Sequence, residues 1–360
     1  MTVLALAGCA TETIHVPYRT TPGPARLSGA GPAGDAFAYR RTPLWPGETS
    51  VVEDASERYT VQQLEFPSVG ENGQDDNLLT ARYYQRRGPG RTGLVIVLPI
   101  WGGHRYPPDI VAWDLARRGT LGVLHILGER TVMDWEALAA APDPAAFAAV
   151  MRRMVQRTRV TIIDLRRVLD WAESRPEIDP RRIGIIGFSE SNLQVAGVLA
   201  SDDRLEAAVL VMGGAHPHAI LATCYGPPAD VRRRVMRRFG WSLDVFSRTI
   251  APLLEPVDPA RLGSRADPGG ILVLDAHHDD CIPDSARAAL WDALGRPARI
   301  SVVSTHAGAF LGMTFLGGNH IRRTVAQFFA RRLEAPTLRD PSRDAPEGPI
   351  QASEPSPTIR

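Results

Sequence analysis

The sequence predicts an α/β protein, with one mostly parallel sheet and helices packed on both of its faces. Three observations carry this. Strand and helix signals alternate in a single series from about residue 57 to residue 334. Several strand candidates are continuous apolar runs rather than alternating ones, the pattern of strands covered on both faces. Ser189 stands on a short turn between one such run and the next helix, a place where α/β folds put chemistry.

In chain order, 60–66 and 79–86 read as edge strands and 94–98 as the first strand buried on both faces. Residues 109–118 carry apolar side chains at helical spacing, and 121–126 is the next strand. The stretch 147–174 is helical in at least its second half and leads into a strand, 182–187, that ends in Gly187. Strands follow at 207–212, 271–275 and 300–304, and helices at 285–294 and 320–333 come after the last two. The series is broken once, after the sixth strand, by residues 215–268. That insertion is too long for a simple connection and stands where α/β enzymes build lids. Residues 10–56, dense in proline and glycine, read as linker or irregular coil, and 335–360 as a disordered tail.

Composition narrows the function classes. The 360 residues are 44% hydrophobic and 22% charged with a net charge of +1, so no global field directs the chain to a polyanion and no nucleic-acid partner is expected. The sequence has no lysine, and all 41 positive side chains are arginine. Schiff-base chemistry, pyridoxal-phosphate catalysis, a P-loop and a serine-lysine pair are therefore excluded, and no cofactor is expected. A cluster of Arg232, Arg233, Arg234, Arg237 and Arg238 in the insertion reads as a solvated helix face. Trp241, Phe246 and Leu253 read as core rather than pocket wall.

The cysteines are Cys9, Cys224 and Cys281, without the close spacing of a zinc or redox site. Cys224 and Cys281 fall in loops after successive strands, which leaves a disulfide open. His216 and His218, with His277 and His278, match no zinc spacing, so no metal is expected there. Leu6-Ala7-Gly8-Cys9 resembles the lipobox of bacterial lipoproteins, which implies a truncated signal over 1–9, lipidation of Cys9 and a lipid-anchored place in the cell envelope. Without that motif a cytoplasmic protein would be expected. A membrane would be met only through the lipid, since no apolar run approaches the ~18 residues of a span.

The chemistry centres on Gly187-Phe188-Ser189-Glu190-Ser191. A serine on a strained strand-to-helix turn projects its hydroxyl above the sheet edge, next to the free amides of a new helix. Serine is too weak an acid to attack a carbonyl unaided, so it needs a base, and the base needs an orienting carboxylate. Two residues depart from the usual G-x-S-x-G elbow. Ser191 replaces the last glycine, and Glu190 brings a carboxylate beside the place where an oxyanion would form.

Residues 94–333 resemble the α/β-hydrolase superfamily, in particular its dienelactone-hydrolase and prolyl-oligopeptidase-like members. The resemblance is carried by the elbow and by the run leading into it, Asp164-Leu165-Arg166-Arg167-Val168-Leu169-Asp170-Trp171 then Ile178-Asp179-Pro180-Arg181-Arg182-Ile183-Gly184. It implies an acid after the seventh strand, where Asp279-Asp280-Cys281-Ile282-Pro283 resembles the family's D-x-x-[VI]-P loop. Asp279 fits the spacing, with Asp280 as the competitor. It implies a base after the eighth strand, where His306 follows directly, with His320 as the alternative. Leu98-Pro99-Ile100-Trp101-Gly102-Gly103 resembles the family's oxyanion loop, so the amides of Ile100 or Trp101 and of Glu190 are the expected donors. The implied function is hydrolysis of a small-molecule carboxylic ester. A peptidase and a non-catalytic binding scaffold are the alternatives. Oligomeric state is left open.

Overall fold

The computed structural model describes residues 13–16, 36–41, 51–53, 56–69, 78–100, 106–127, 132–314 and 319–334. Its strands are β1 (Thr13–Val16), β2 (Val51–Glu53), β3 (Tyr59–Pro67), β4 (Leu78–Arg86), β5 (Thr92–Val97), β6 (Gly122–Leu127), β7 (Ile178–Phe188), β8 (Leu205–Val211), β9 (Ile271–Ala276) and β10 (Ala298–Val302). They form one ten-stranded sheet in the order β1-β10-β9-β8-β7-β5-β6-β4-β3-β2. From β6 to β10 in that order every pairing is parallel, while β4, β3, β2 and β1 add antiparallel pairings at the two ends. β5, β6 and β9 are buried at every position, and their sequences are largely apolar, interrupted by Thr92, His125 and Asp275. β5 has β6 on one side and β7 on the other, which opens a crevice at the carboxyl ends of β5 and β7 where the strand order reverses.

The helices are α1 (Pro108–Arg118), α2 (Trp135–Ala140), α3 (Pro144–Ser174), α4 (Asn192–Ser201), α5 (Pro217–Thr223), α6 (Pro227–Phe239), α7 (Leu243–Leu254), α8 (Pro259–Leu262), α9 (Asp284–Ala293), α10 (His306–Thr314) and α11 (Asn319–Leu333). One face of the sheet packs against α3, α4 and α9 through Leu165, Leu169, Val198 and Leu290. The other packs against α1 and α11 through Val111, Leu115, Val325 and Phe329.

α3 is longer than its sequence signal suggests because its two halves bury against different partners. Ile162, Leu165 and Val168 face the sheet, whereas Phe147, Val150 and Met154 join Val235, Phe246 and Ile250 of the insertion in a separate apolar cluster. Asp143 caps the new start, accepting from Ala146 N–H at 2.8 Å. Residues 215–268 therefore hold α5 to α8 and share an apolar cluster with α2 and the first half of α3, in which Phe246 is buried and Trp241 and Leu253 pack against it.

The 10–56 segment needs correction at its described residues. β1 pairs with β10, β2 pairs with β3, and Phe37 is fully buried in the core. Tyr39 donates to Asp170 at 2.8 Å, and Arg166 and Arg159 donate to the carbonyls of Phe37 and Ala36. Phe37 in the core, side-chain bonds from Tyr39 and Arg41, and hydrogen bonds to the segment's backbone hold it, none of which leaves a periodic pattern in the sequence. β3 and β4 are also not edges, since β2 covers β3. Residues 1–9, including Cys9, and 335–360 lie outside the described residues. Among those described, no helix is long and apolar enough to cross a membrane.

Candidate active site

The elbow is built where β7 ends. Phe188 is extended, Ser189 turns to φ +50°, Ser189–Ser191 forms a 3-10 turn, and α4 begins at Asn192. A positive φ is costly for a side-chain-bearing residue, so the surroundings must hold it. Asn192 Nδ2 donates to the Ser189 carbonyl at 3.0 Å and to the Val211 carbonyl at 2.8 Å, tying the turn to β8. Gly187 lets α4 approach, because a Cβ there would stand 2.7 Å from Val195 Cγ2. Ser191 fits: buried, it accepts from Phe188 N–H at 2.7 Å and donates to the Phe188 carbonyl at 3.0 Å. The hydroxyl stitches a turn that a glycine would leave to sterics alone.

His306 opens α10, directly after β10, and Asp279 lies in the loop after β9. The fold brings both to Ser189. Ser189 Oγ is 3.5 Å from His306 Nε2, and His306 Nδ1 is 2.9 Å from Asp279 Oδ2. Asp279 is held in turn by the amides of Cys281 at 2.9 Å and Ile282 at 2.7 Å, both on Oδ1. Burial works against its charge, but the hydrogen bond and charge of His306 and the two amides outweigh that and hold the carboxyl below its ordinary range. An acceptor-only carboxylate on Nδ1 places the imidazole proton there and turns the Nε2 lone pair toward Ser189.

The competing residues have other places. Asp280 Oδ1 accepts from the His306 backbone N–H at 3.2 Å, so the neighbouring aspartates hold the ring and the backbone of one histidine. His320 is exposed near the start of α11, where its carbonyl accepts from Thr324.

Glu190 lines the same cavity as Ser189 and His306. Desolvation pushes its carboxyl up to about 7, opposed only by a long contact from Gln194 Nε2 at 3.5 Å. Ile100, just past β5, also lines the cavity, and Trp101 lies outside the described residues. The cavity has a volume of about 470 Å³ and is closed in by α3, α5, α7 and α10.

Cys224 and Cys281 form a disulfide that joins the end of α5 to the loop of Asp279. The arginine cluster of α6 is partly structural: Arg232 donates to the carbonyls of Leu221 and Cys224, and Arg238 to those of Ala139 and Ala141. His216 and His218 meet Asp258, which the sequence did not single out, with donor atoms within 4.8 Å of one another. His216 Nδ1 lies 3.1 Å from Asp258 Oδ2, and the same carboxylate accepts from the His216 N–H, so it ties the start of the insertion to its end. This trio has the donor types of a zinc site. His277 and His278 do not join it.

The order of the parallel strands, the elbow at the end of β7 and the Asp and His loops after β9 and β10 decide the fold. It is that of the α/β-hydrolases. No protein-family model matches the sequence, and no curated protein matches it. Among solved structures, the acetyl xylan esterase from Paenibacillus sp. R4 is similar at 17% identity and a TM-score of 0.56, covering 84% of this chain and 92% of that one. Acetyl xylan esterase 1 from Thermoanaerobacterium sp. JW/SL YS485 is similar at 13% identity and 0.53, covering 79% and 88%. A cold-adapted esterase from an Arctic intertidal metagenomic library is similar at 17% and 0.50, covering 81% and 99%. At these identities the likeness concerns the α/β-hydrolase fold alone.

Proposed function

We propose that the chain is a serine hydrolase that cleaves a carboxylic ester or related acyl bond through an acyl-enzyme on Ser189. The observation that carries this is the linked geometry of Ser189 Oγ, His306 and Asp279, at 3.5 Å and 2.9 Å, on a strained elbow. The names of the structural neighbours, esterases among them, agree with it.

His306 Nε2 takes the Ser189 proton as Oγ bonds to the acyl carbon. The amide of Glu190 and one from Ile100 or Trp101 would hold the oxyanion, each worth about 3 kcal/mol of transition-state stabilisation. Collapse expels the alcohol, which takes the proton from His306. Water, deprotonated by the same nitrogen, then releases the acid and restores Ser189.

A fluorophosphonate probe tests this. Stoichiometric labelling that vanishes in Ser189→Ala is expected, and full hydrolysis of an activated ester by that variant would overturn the mechanism. The Glu190 carboxyl in the cavity favours a second reading, a non-catalytic scaffold, for which folded protein stays unlabelled.

The Cys224–Cys281 disulfide and Leu6-Ala7-Gly8-Cys9 together support a lipid-anchored place in an oxidising envelope. Incorporation of labelled palmitate that is lost in Cys9→Ala is the expected result.

A further inference from the structure

We propose that the substrate is an ester of an apolar acyl group several carbons long, and that the cavity beside Ser189 is its acyl site. This rests on the hydrolase reading and adds a substrate class to it. The cavity, about 470 Å³, contains the reacting side chains Ser189 and His306 in its own wall. Its size lies in the range of pockets that enclose a whole small ligand. Met154, Ile220, Leu221, Leu254, Ile282 and Phe310 supply apolar wall from five separate parts of the chain.

Polar recognition is scarce in it. Among the described residues no arginine lines the cavity, and besides Ser189 and His306 the polar side chains in its wall are Thr158, Glu190, Tyr225 and the indole of Trp135. Thr158 is already committed, donating to the Met154 carbonyl at 3.1 Å. A sugar ring placed there would lose water from its hydroxyls without gaining enough partners, at a cost of several kcal/mol. An acetyl group would leave most of the apolar wall uncovered. A longer alkyl chain removes that wall from water at each added carbon.

The acyl half of the ester fits this site better than the alcohol half for a chemical reason. The acyl group stays bonded to Ser189 Oγ through both steps, whereas the alcohol must leave before water enters. The enclosed space next to the nucleophile suits the group that stays. Tyr225 and Leu311, both in the lining, are 42% and 54% exposed and mark the side open to solvent.

A series of p-nitrophenyl esters from acetate to octanoate tests the proposal. Each buried methylene is worth about fourfold in kcat/KM, so octanoate should exceed acetate by at least about a hundredfold even with partial burial. Flat or falling kcat/KM along the series overturns the acyl site while leaving the hydrolase reading intact. If no ester is cleaved and no fluorophosphonate label is taken up, the hydrolase reading fails instead. Calorimetric binding of the same esters to Ser189→Ala then decides the cavity, with octanoate bound at least tenfold more tightly than acetate expected and equal binding overturning it. Leu221→Trp, or the smaller change Leu254→Phe, fills the cavity and should lower the octanoate-to-acetate ratio at least tenfold. An unchanged ratio in both folded variants also overturns the proposal.

Discussion

Ser191 Oγ accepts from the Phe188 amide at 2.7 Å and returns a hydrogen bond to the Phe188 carbonyl at 3.0 Å, so a serine side chain closes the turn that carries Ser189. Restoring the commoner glycine therefore weakens this elbow. Ser191→Ala and Ser191→Gly each leave the buried Phe188 amide without its partner, a loss of about 1–3 kcal/mol. Denaturant unfolding measures it. A Ser191→Gly protein as stable as the parent would mean that the turn holds Ser189 at φ +50° without the hydroxyl.

The two adjacent aspartates hold different atoms of His306, so their substitutions should act differently. Asp279→Asn presents an amide to His306 Nδ1 and favours the wrong tautomer, so kcat for an activated ester should fall about 10⁴-fold. Asp280→Ala removes one acceptor from the His306 backbone amide, worth about 1 kcal/mol or roughly tenfold at most. Steady-state kinetics on both variants distinguishes them, and a larger loss at Asp280 would reverse the assignment.

The Cys224–Cys281 bond closes a loop of 57 residues between the insertion and the acid loop. By the chain-entropy relation its removal costs about 4 kcal/mol, because the open chain gains conformations. The double Cys→Ser variant should unfold at correspondingly lower denaturant, while its fluorophosphonate labelling persists, since Asp279 keeps its amide bonds from residues 281 and 282. Loss of labelling in folded protein would show that the bridge also sets the acid loop.

What could be read from the sequence follows from which forces leave a pattern. The continuous apolar run 94–98 marks β5, and strand succession explains why the loops of Ser189, Asp279 and His306, far apart in the chain, come to one edge of the sheet. Phe37 was hidden, since one buried ring in a proline-rich stretch has no period. The first half of α3 was hidden because the insertion covers it, and that contact is tertiary. Ser191 departs from the G-x-S-x-G pattern, and the hydroxyl chemistry that caps turns explains why it fits. Asp258 sits 42 residues from His216, and nothing local links them.

The position of Glu190 predicts a pH dependence of stability and, under the hydrolase reading, of activity. Desolvation raises its carboxyl from 4.5 to about 7 in the fold. Between those values the folded state keeps a proton that the unfolded state has released, so stability falls as pH rises from about 4.5 to 7 and stays reduced above. The full effect is about 3 kcal/mol. Asp164, also raised by burial, adds a slope of the same sign, and Asp279, lowered, adds the opposite one. The difference between the parent and Glu190→Gln isolates the one residue: Gln should be the more stable protein at pH 8 and lose that advantage by pH 4. Activity should respond in the same window. Among the described residues, His306 and Tyr225 are the other titratable side chains facing this cavity, and neither stands next to Ser189 in the chain as Glu190 does. Ionised Glu190 opposes the developing oxyanion, so kcat of the parent should decline as pH passes about 7 while that of Glu190→Gln holds. Superimposable pH profiles for the two proteins would show that the carboxylate points away from the reacting oxygen.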